Sequence, residues 1–348
     1  MSAVESRVTG RNAMVASLMD VARISGVSTA TVSHVINGTR HVSQATIEKV
    51  QRAIATTGYR PNPHARALRT ATSESIGFVA SDVSNPYSTS VMRGIAAELR
   101  QQRYTLLVAN ADEDPVLEHE AIGALVERKV DGLIIAPTTS ADPGSFEQVQ
   151  RIVPVVLVDR AVPGPFDQVL VENVDSVAVV VGSMLDAGHR RIAIIGGRAG
   201  HSTALERVEG WRKAHADRGL ACDERLIALG IATPGTARHA TETLFSQDDR
   251  PTAVFSMSNV TSLEILRGLS DLGLTVPRDV SFAAFDDIEW VDLLDHPVTC
   301  LAQPTDQIGR TAVELLMARI ADSDIQQRVV RLAPDLRDRH SIVAPLRS

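Results

Sequence analysis

The chain divides by the rhythm of its apolar positions. Between residues 17 and 58 they recur at helical spacing in short blocks. From residue 75 onward, short apolar runs alternate with longer helical stretches. In the first region Ser17, with Asp20 three residues on, has the form of a capping box and opens a helix over 18–25 that Gly26 ends. Ser28 can cap a second helix to about Ile36, stopped by Asn37-Gly38. Ser43 can cap a third, with Ile47, Val50 and Ile54 on one face, ending at Gly58. Three short helices with a tight turn between the first two predict a helix-turn-helix.

Tyr59-Arg60-Pro61-Asn62-Pro63 then reads as a stiff extended joint, because the residue before a proline is kept out of the helical region. His64–Arg69 can form one or two helical turns, too few to persist without a partner. Beyond Ser75 the strand-like runs are IGFVA (76–80), TLLVAN (105–110), GLIIAP (132–137) and VVLVD (155–159), then RIAIIGG (191–197), AVFSM (253–257) and VSFAAFDD (280–287). Helical stretches fall near 87–102, 115–129, 144–151, 175–187, 204–218, 260–272 and 304–321. This alternation predicts an α/β core of two Rossmann-like lobes, each a parallel sheet between helices, with a cleft between them. The expected division is a flexible tail (1–16), the helix-turn-helix (17–60), a hinge helix and linker (61–74), a first lobe (75–172 with 302–323) and a second (173–301 with 324–342).

Composition sharpens the division. The 348 residues carry a net charge of −7, unevenly spread. Residues 1–72 hold nine Lys+Arg against three Asp+Glu, a net of +6, and the remainder is −13. A basic head on an acidic body is expected where only the head meets a polyanion. Two cysteines far apart argue against a disulfide scaffold. No signal-peptide pattern and no apolar run long enough to span a bilayer is visible, so the expected compartment is the cytoplasm.

Two sets of residues carry candidate chemistry. The second helix of a helix-turn-helix lies in the major groove with its N-terminal residues toward base edges. Here these are Ser28, Thr29, Ala30, Thr31, Ser33 and His34. Hydroxyls at a helix N-terminus also suit phosphate oxygens. In the core, ligands bind beyond the carboxyl ends of parallel strands. Asp159 and Asp286 follow strands there, and Arg207 lies near a helix start. Carboxylates accept and a guanidinium donates, so together they can bind vicinal hydroxyls from both sides. The competing reading is a structural Arg207–Asp286 ion pair.

DVARISGVSTATVSHVING, HVSQATIEKVQRAI, GYRPNPHARALRT, IGFVASDVSNPY, KVDGLIIAP, VVLVDR, GHRRIAIIGG, ERVEGWRKA and FAAFDDIEW occur in this order. From about Ser17 to Ile342 the chain thereby resembles the lactose-repressor (LacI/GalR) family of bacterial transcription regulators. The resemblance implies a homodimer on near-palindromic operator DNA, with each helix-turn-helix in a major groove. It also implies hinge helices that form on DNA and pair over the minor groove, Leu68 wedging between base pairs with Arg69 beside it. Thr29 and Ala30 fall where the family selects its operator. His34 stands where many members have arginine, trading a bidentate guanine contact for one directed bond and a titratable charge. Asn37, His41, Ser43 and Asn62 match positions that touch phosphate or operator flanks, although capping or loop hydrogen bonding explains them equally well.

For the core the resemblance implies a small-molecule effector held by Asp159, Arg207 and Asp286, with Tyr87 as a ring against it. Trp290 is a second candidate wall, and Asn259 stands where the family often has an aspartate. Gln303, in the crossover CLAQP, is the expected relay. Around Gly230-Ile231-Ala232 no aromatic occurs, whereas purine-responsive relatives sandwich the base between rings, which favours a sugar or related metabolite.

An enzyme is the first rival reading. The histidines show no metal-ligand spacing and no nucleophile elbow or P-loop occurs, so no metal or cofactor is expected. The glycine-rich Ile195–Gly200 lacks the dinucleotide pattern, and a tight strand–helix turn explains it. A two-lobed binding protein without a DNA role is the second rival. It would leave the basic head without a purpose.

Overall fold

The computed structural model describes residues 16–37, 39–59, 72–139, 143–230, 235–293 and 295–346, without the side chains of Asn37, Glu289 and Trp290. The chain forms two compact units, residues 1–73 and 74–348.

In the first unit, α1 spans Leu18–Ser25, α2 Thr29–Asn37 and α3 Gln44–Thr57. Ser17 and Asp20 close the capping box on α1, and Gly26 ends it with a left-handed φ of 70°. Ser28 caps α2, its hydroxyl accepting from the Thr31 amide at 3.1 Å. Ser43 occupies the cap position of α3 without bonding the backbone there; its hydroxyl pairs with that of Thr46 at 2.9 Å. The small core consists of Val21, Ala22, Val32, Val50 and Ala53. Residues 1–15 of the expected tail (1–16) and 61–71 of the expected hinge and linker (61–74), with Asn62, Leu68 and Arg69, lie outside the described residues.

The second unit holds two six-stranded sheets. The first comprises β1 (Ser75–Ala80), β2 (Thr105–Asn110), β3 (Gly132–Ile135), β4 (Val155–Asp159), β5 (Asp167–Val171) and β11 (Val329–Leu332). Its order is β2-β1-β3-β4-β5-β11 and every pairing is parallel. The second comprises β6 (Ile192–Ile195), β7 (Ile227–Ala228), β8 (Ala253–Ser256), β9 (Ser281–Phe285), β10 (Thr299–Ala302) and β12 (Asp335–Arg337). Its order is β7-β6-β8-β9-β10-β12, parallel except for β12. Between the strands run α4 (Pro86–Gln101), α5 (Pro115–Glu127), α6 (Pro143–Gln150), α7 (Val174–Asp186), α8 (Ser202–Ala216), α9 (Thr236–Phe245), α10 (Asn259–Asp271) and α11 (Thr305–Ala321). Asn85 and Asp114 cap α4 and α5, each followed by a proline at the first helical position, where its missing N–H costs nothing.

The position of β11 corrects the expected division. Residues 324–342 are not all second-lobe: Val329–Leu332 pair with β5 in the first sheet, and the chain rejoins the second lobe at β12 and stays there through Ser341, which bonds Phe282 and Thr299. The buried ion pair of Arg319 and Asp167 holds this return. Arg319 donates to Asp167 at 2.8 and 3.0 Å and to the Ser323 and Ile325 carbonyls, while Asp167 also accepts from the Arg328 amide. One carboxylate thus joins the end of α11, the start of β5 and the entry to β11. Nearby, α4 and α11 cross at Gly94 and Gly309. A Cβ on Gly309 would lie 2.6 Å from the Gly94 carbonyl carbon, so the approach excludes any side chain.

Candidate functional site

The carboxyl ends of the two sheets face one another across a cavity of about 650 Å³. Tyr87, Asp159, Arg207, Asn259, Asp286 and Gln303 all line it. Asp159 ends β4 and Asp286 follows β9, each the fourth strand from its sheet's β2 or β7 edge. Both have a left-handed backbone, with φ of 74° and 73°. Such a φ in a non-glycine residue is strained and collects at functional sites.

Arg207 projects from the first turns of α8 and is buried. Its Nε donates to Asn173 Oδ1 at 2.9 Å, its Nη1 to the Met257 carbonyl, and its guanidinium lies 3.6 Å above the Phe285 ring. Among the described residues no ion pair within 4.0 Å joins it to Asp286 or Asp159, so the expected structural alternative, a direct Arg207–Asp286 pair, is not formed. Burial lowers its pKa, and the charges of Asp286 and Asp159 oppose that shift. Asp286 accepts from the Asn259 amide at 3.0 Å and from Gln303 Nε2 at 2.6 Å. Asp159 is held differently: burial raises its pKa, only partly offset by Arg160 and Arg207. Among the described residues lining the cavity, three buried polar atoms make no well-formed hydrogen bond, the Tyr87 hydroxyl, Arg160 Nε and Gln303 Oε1, although the hydroxyl faces the Asp159 carboxylate. Burial, then the carboxylates of Asp159 and Asp286, push the Tyr87 phenol well above its usual range, so it stays a hydrogen-bond donor.

Sequence reasoning missed a second group on the same wall. Arg160 makes a bidentate pair with Glu113 at 2.6 and 2.8 Å and donates to the Pro137 carbonyl. Burial would raise the Glu113 carboxyl, but the Arg160 hydrogen bonds and charge hold it low. His201, at the start of α8, faces this pair from the second lobe. Burial and then the Arg160 charge lower its pKa to about 4, so it is neutral near pH 7. The only local sign was that Arg160 follows a strand-ending aspartate; Glu113 and His201 come from distant loops. Direct bridges also join the lobes. Asn259 Nδ2 donates to Asn85 Oδ1 at 2.8 Å, and the Ala161 amide donates to Ser202 Oγ at 2.9 Å.

In the first unit Ser28, Thr29 and Ala30 are exposed at the start of α2, and Thr31, Ser33 and His34 are half-buried along it. The His34 ring is 2.9 Å from the Thr39 hydroxyl, and His41 is exposed. The side chains of Asn37 and Trp290 lie outside the described residues, as do residues 231–234, part of the stretch where the sequence lacks an aromatic.

Residues 17–62 match the model for bacterial regulatory proteins of the lacI family, and 181–342 match a periplasmic binding protein-like domain. A curated relative, "HTH-type transcriptional repressor PurR" of Photobacterium profundum, is 32% identical over 330 residues, covering 94% of this chain and 98% of its own. The chain belongs to the LacI family of bacterial regulatory proteins. Among solved structures, this LacI-family chain is similar to the lac repressor dimer bound to operator and the anti-inducer ONPF. The TM-score is 0.85 at 25% identity, covering 95% of this chain and 100% of that one. It is also similar to the transcriptional regulator CelR–cellobiose complex, with a TM-score of 0.70 and 30% identity over 94% of this chain and 99% of that one. The family thus joins the helix-turn-helix and the two-lobed core found here. No described helix is long and apolar enough to cross a membrane, and no described cluster of His, Cys, Asp and Glu could hold a metal ion.

Proposed function

We propose that this LacI-family chain is a repressor that binds near-palindromic operator DNA as a homodimer, and that a sugar-like effector in the interlobe cleft sets its grip. The observation that carries the effector reading is the cavity itself. Two carboxylates on left-handed backbone face one guanidinium, with a buried phenol (Tyr87) facing Asp159 and an unpartnered acceptor (Gln303 Oε1) between the lobes. Buried polar atoms without partners are costly, and a ligand carrying several hydroxyls satisfies donors and acceptors together. A neutral polyol fits better than an acid, because Glu113, Asp159 and Asp286 already face the positive charges of Arg160 and Arg207. The names of the similar structures, one holding cellobiose and one bound to operator, agree with this reading.

On the DNA side, exposed Thr29 and Ala30 at the start of α2 are available to base edges. Effector binding shifts the balance between lobe arrangements only by its differential affinity for them. The test is a thermal-shift screen of the full chain against sugars, sugar acids, polyols, nucleosides and phosphorylated metabolites. A ligand at 100 times its Kd stabilises a fold by about 2.7 kcal/mol. The expected hit is a neutral sugar or polyol, lost in Arg207→Ala and Asp286→Ala. A screen with no hit among the sugars and polyols overturns the reading.

A further inference from the structure

The chain passes between the lobes around residues 172–173, 303–304 and 333–334. The second crossing reaches the cleft through Gln303, which donates to Asp286. A separate path starts at the first. Asn173 is buried, 1% exposed, and both ends of its amide are used. Its Oδ1 accepts from Arg207 Nε at 2.9 Å, and its Nδ2 donates to the Val171 carbonyl at 3.1 Å and to Glu206 Oε2 at 2.7 Å. Glu206 in turn receives Arg331 through both oxygens, at 2.7 and 3.2 Å. Glu206 stands on α8 of the second lobe, and Arg331 on β11 of the first, shortly before the third crossing.

We propose that Asn173, backed by Glu206 and Arg331, is a relay that makes the angle between the lobes depend on what Arg207 binds. The three hydrogen-bonded links run in series, from a cleft cation, through a buried amide at one crossing, to an ion pair that spans the lobes near another. A planar amide cannot move its oxygen with Arg207 and leave its nitrogen on Glu206 undisturbed. Glu206 and Arg331 do not line the cavity; the hydrogen-bonded route from them to Arg207 runs through Asn173, beside the direct pull of the Glu206 charge on Arg207. The relay gains its regulatory meaning from the effector reading above, but its test needs no effector.

The Ala161 amide bonds Ser202 across the lobes, so its hydrogen exchange reports their closure. The experiment is a double-mutant cycle on the ligand-free, full-length chain, with Arg207→Met and Arg331→Gln read by exchange at Ala161. Independent sites give multiplying effects and a shared network does not. If Arg207→Met speeds exchange about tenfold and Arg331→Gln about fivefold, the double variant should be accelerated about tenfold, not about fiftyfold. In an Asn173→Ala background the shortfall should shrink by at least half, leaving only the direct charge interaction of Glu206 with Arg207. A double variant within about 1.5-fold of the product overturns the proposal and leaves Arg331–Glu206 as a local ion pair. Arg207→Lys replaces Arg207→Met if the latter fails to fold. A failed sugar screen does not alter the outcome of this cycle, and a failed cycle leaves the effector reading standing.

Discussion

Asp159 and Asp286 end equivalent strands of the two lobes with the same left-handed backbone, φ 74° and 73°. Neither is a glycine, and each aims a carboxylate at one cavity from opposite sides. Their surroundings differ. Asp286 has two donors, whereas burial raises the pKa of Asp159. An acid whose folded pKa is raised binds its proton more readily when folded, so it opposes folding as pH rises past its unfolded value of 3.8. Asp159→Asn tolerates the same backbone and removes the buried charge. It should raise the melting temperature at pH 7, with the gain shrinking toward pH 4. It should also weaken the effector about 10- to 100-fold through a lost charge-assisted hydrogen bond. Melting curves with sugar titrations check both; a lower melting temperature at pH 7 contradicts the assignment.

The Tyr87 hydroxyl is buried in the cleft and makes no well-formed hydrogen bond, with the Asp159 carboxylate nearby. Leaving such a group unsatisfied costs about 1–3 kcal/mol. Tyr87→Phe should therefore stabilise the ligand-free chain and weaken the effector about tenfold. Chemical denaturation with and without the screened ligand measures both. A destabilised variant would show that the hydroxyl has a partner in the folded chain.

His201 couples lobe contact to acidity. Its folded pKa is about 4 against a usual 6.5, because burial and Arg160 disfavour the charged ring. The unfolded chain then binds the proton more readily, so stability falls as pH drops below about 6.5 and the loss levels off near 4. Between pH 7 and pH 5 the linkage is about 1–2 kcal/mol. His201→Asn should lose less stability over that interval than the parent chain. Parallel stability curves would show that His201 does not titrate differently on folding.

In the DNA-binding unit, cap and recognition residues separate. Ser28→Ala removes the hydroxyl that accepts from the Thr31 amide and should cost about 1 kcal/mol of that unit's stability. Substitutions at exposed Ala30 should leave stability within about 0.5 kcal/mol. They should change which operator bases are preferred, as read by selection from a randomised DNA pool. An unchanged preference would remove Ala30 from the base-reading set.

Local signals made much of this legible. Ser17 and Asp20 announce the start of α1, Gly26 its end, and the rule that ligands lie beyond strand ends pointed to Asp159 and Asp286. Elements defined by distant pairing were not legible. β11 is a short run, Val-Val-Arg-Leu, whose periodicity cannot say which sheet it joins, and β5 follows a Pro-Gly-Pro loop that hides its start. The same reason hid Glu113 and His201. Each is ordinary in its own loop; Glu113 meets Arg160 only when the first lobe folds, and His201 only when the two lobes come together. Asn173 is one amide in a polar connection until Arg207 and Glu206 converge on it from α8.

The most direct test of the account is operator affinity of the full-length chain, measured by fluorescence anisotropy on DNA selected by the protein itself. It is taken across a salt series, with and without the sugar found in the screen. The account predicts a log-linear loss of affinity with salt from counterion release, and a change of about tenfold or more on adding the sugar. In Asp286→Asn the salt dependence should persist and the sugar response disappear. A sugar that fills the cleft yet leaves operator affinity unchanged would contradict it, as would a DNA affinity that does not depend on salt.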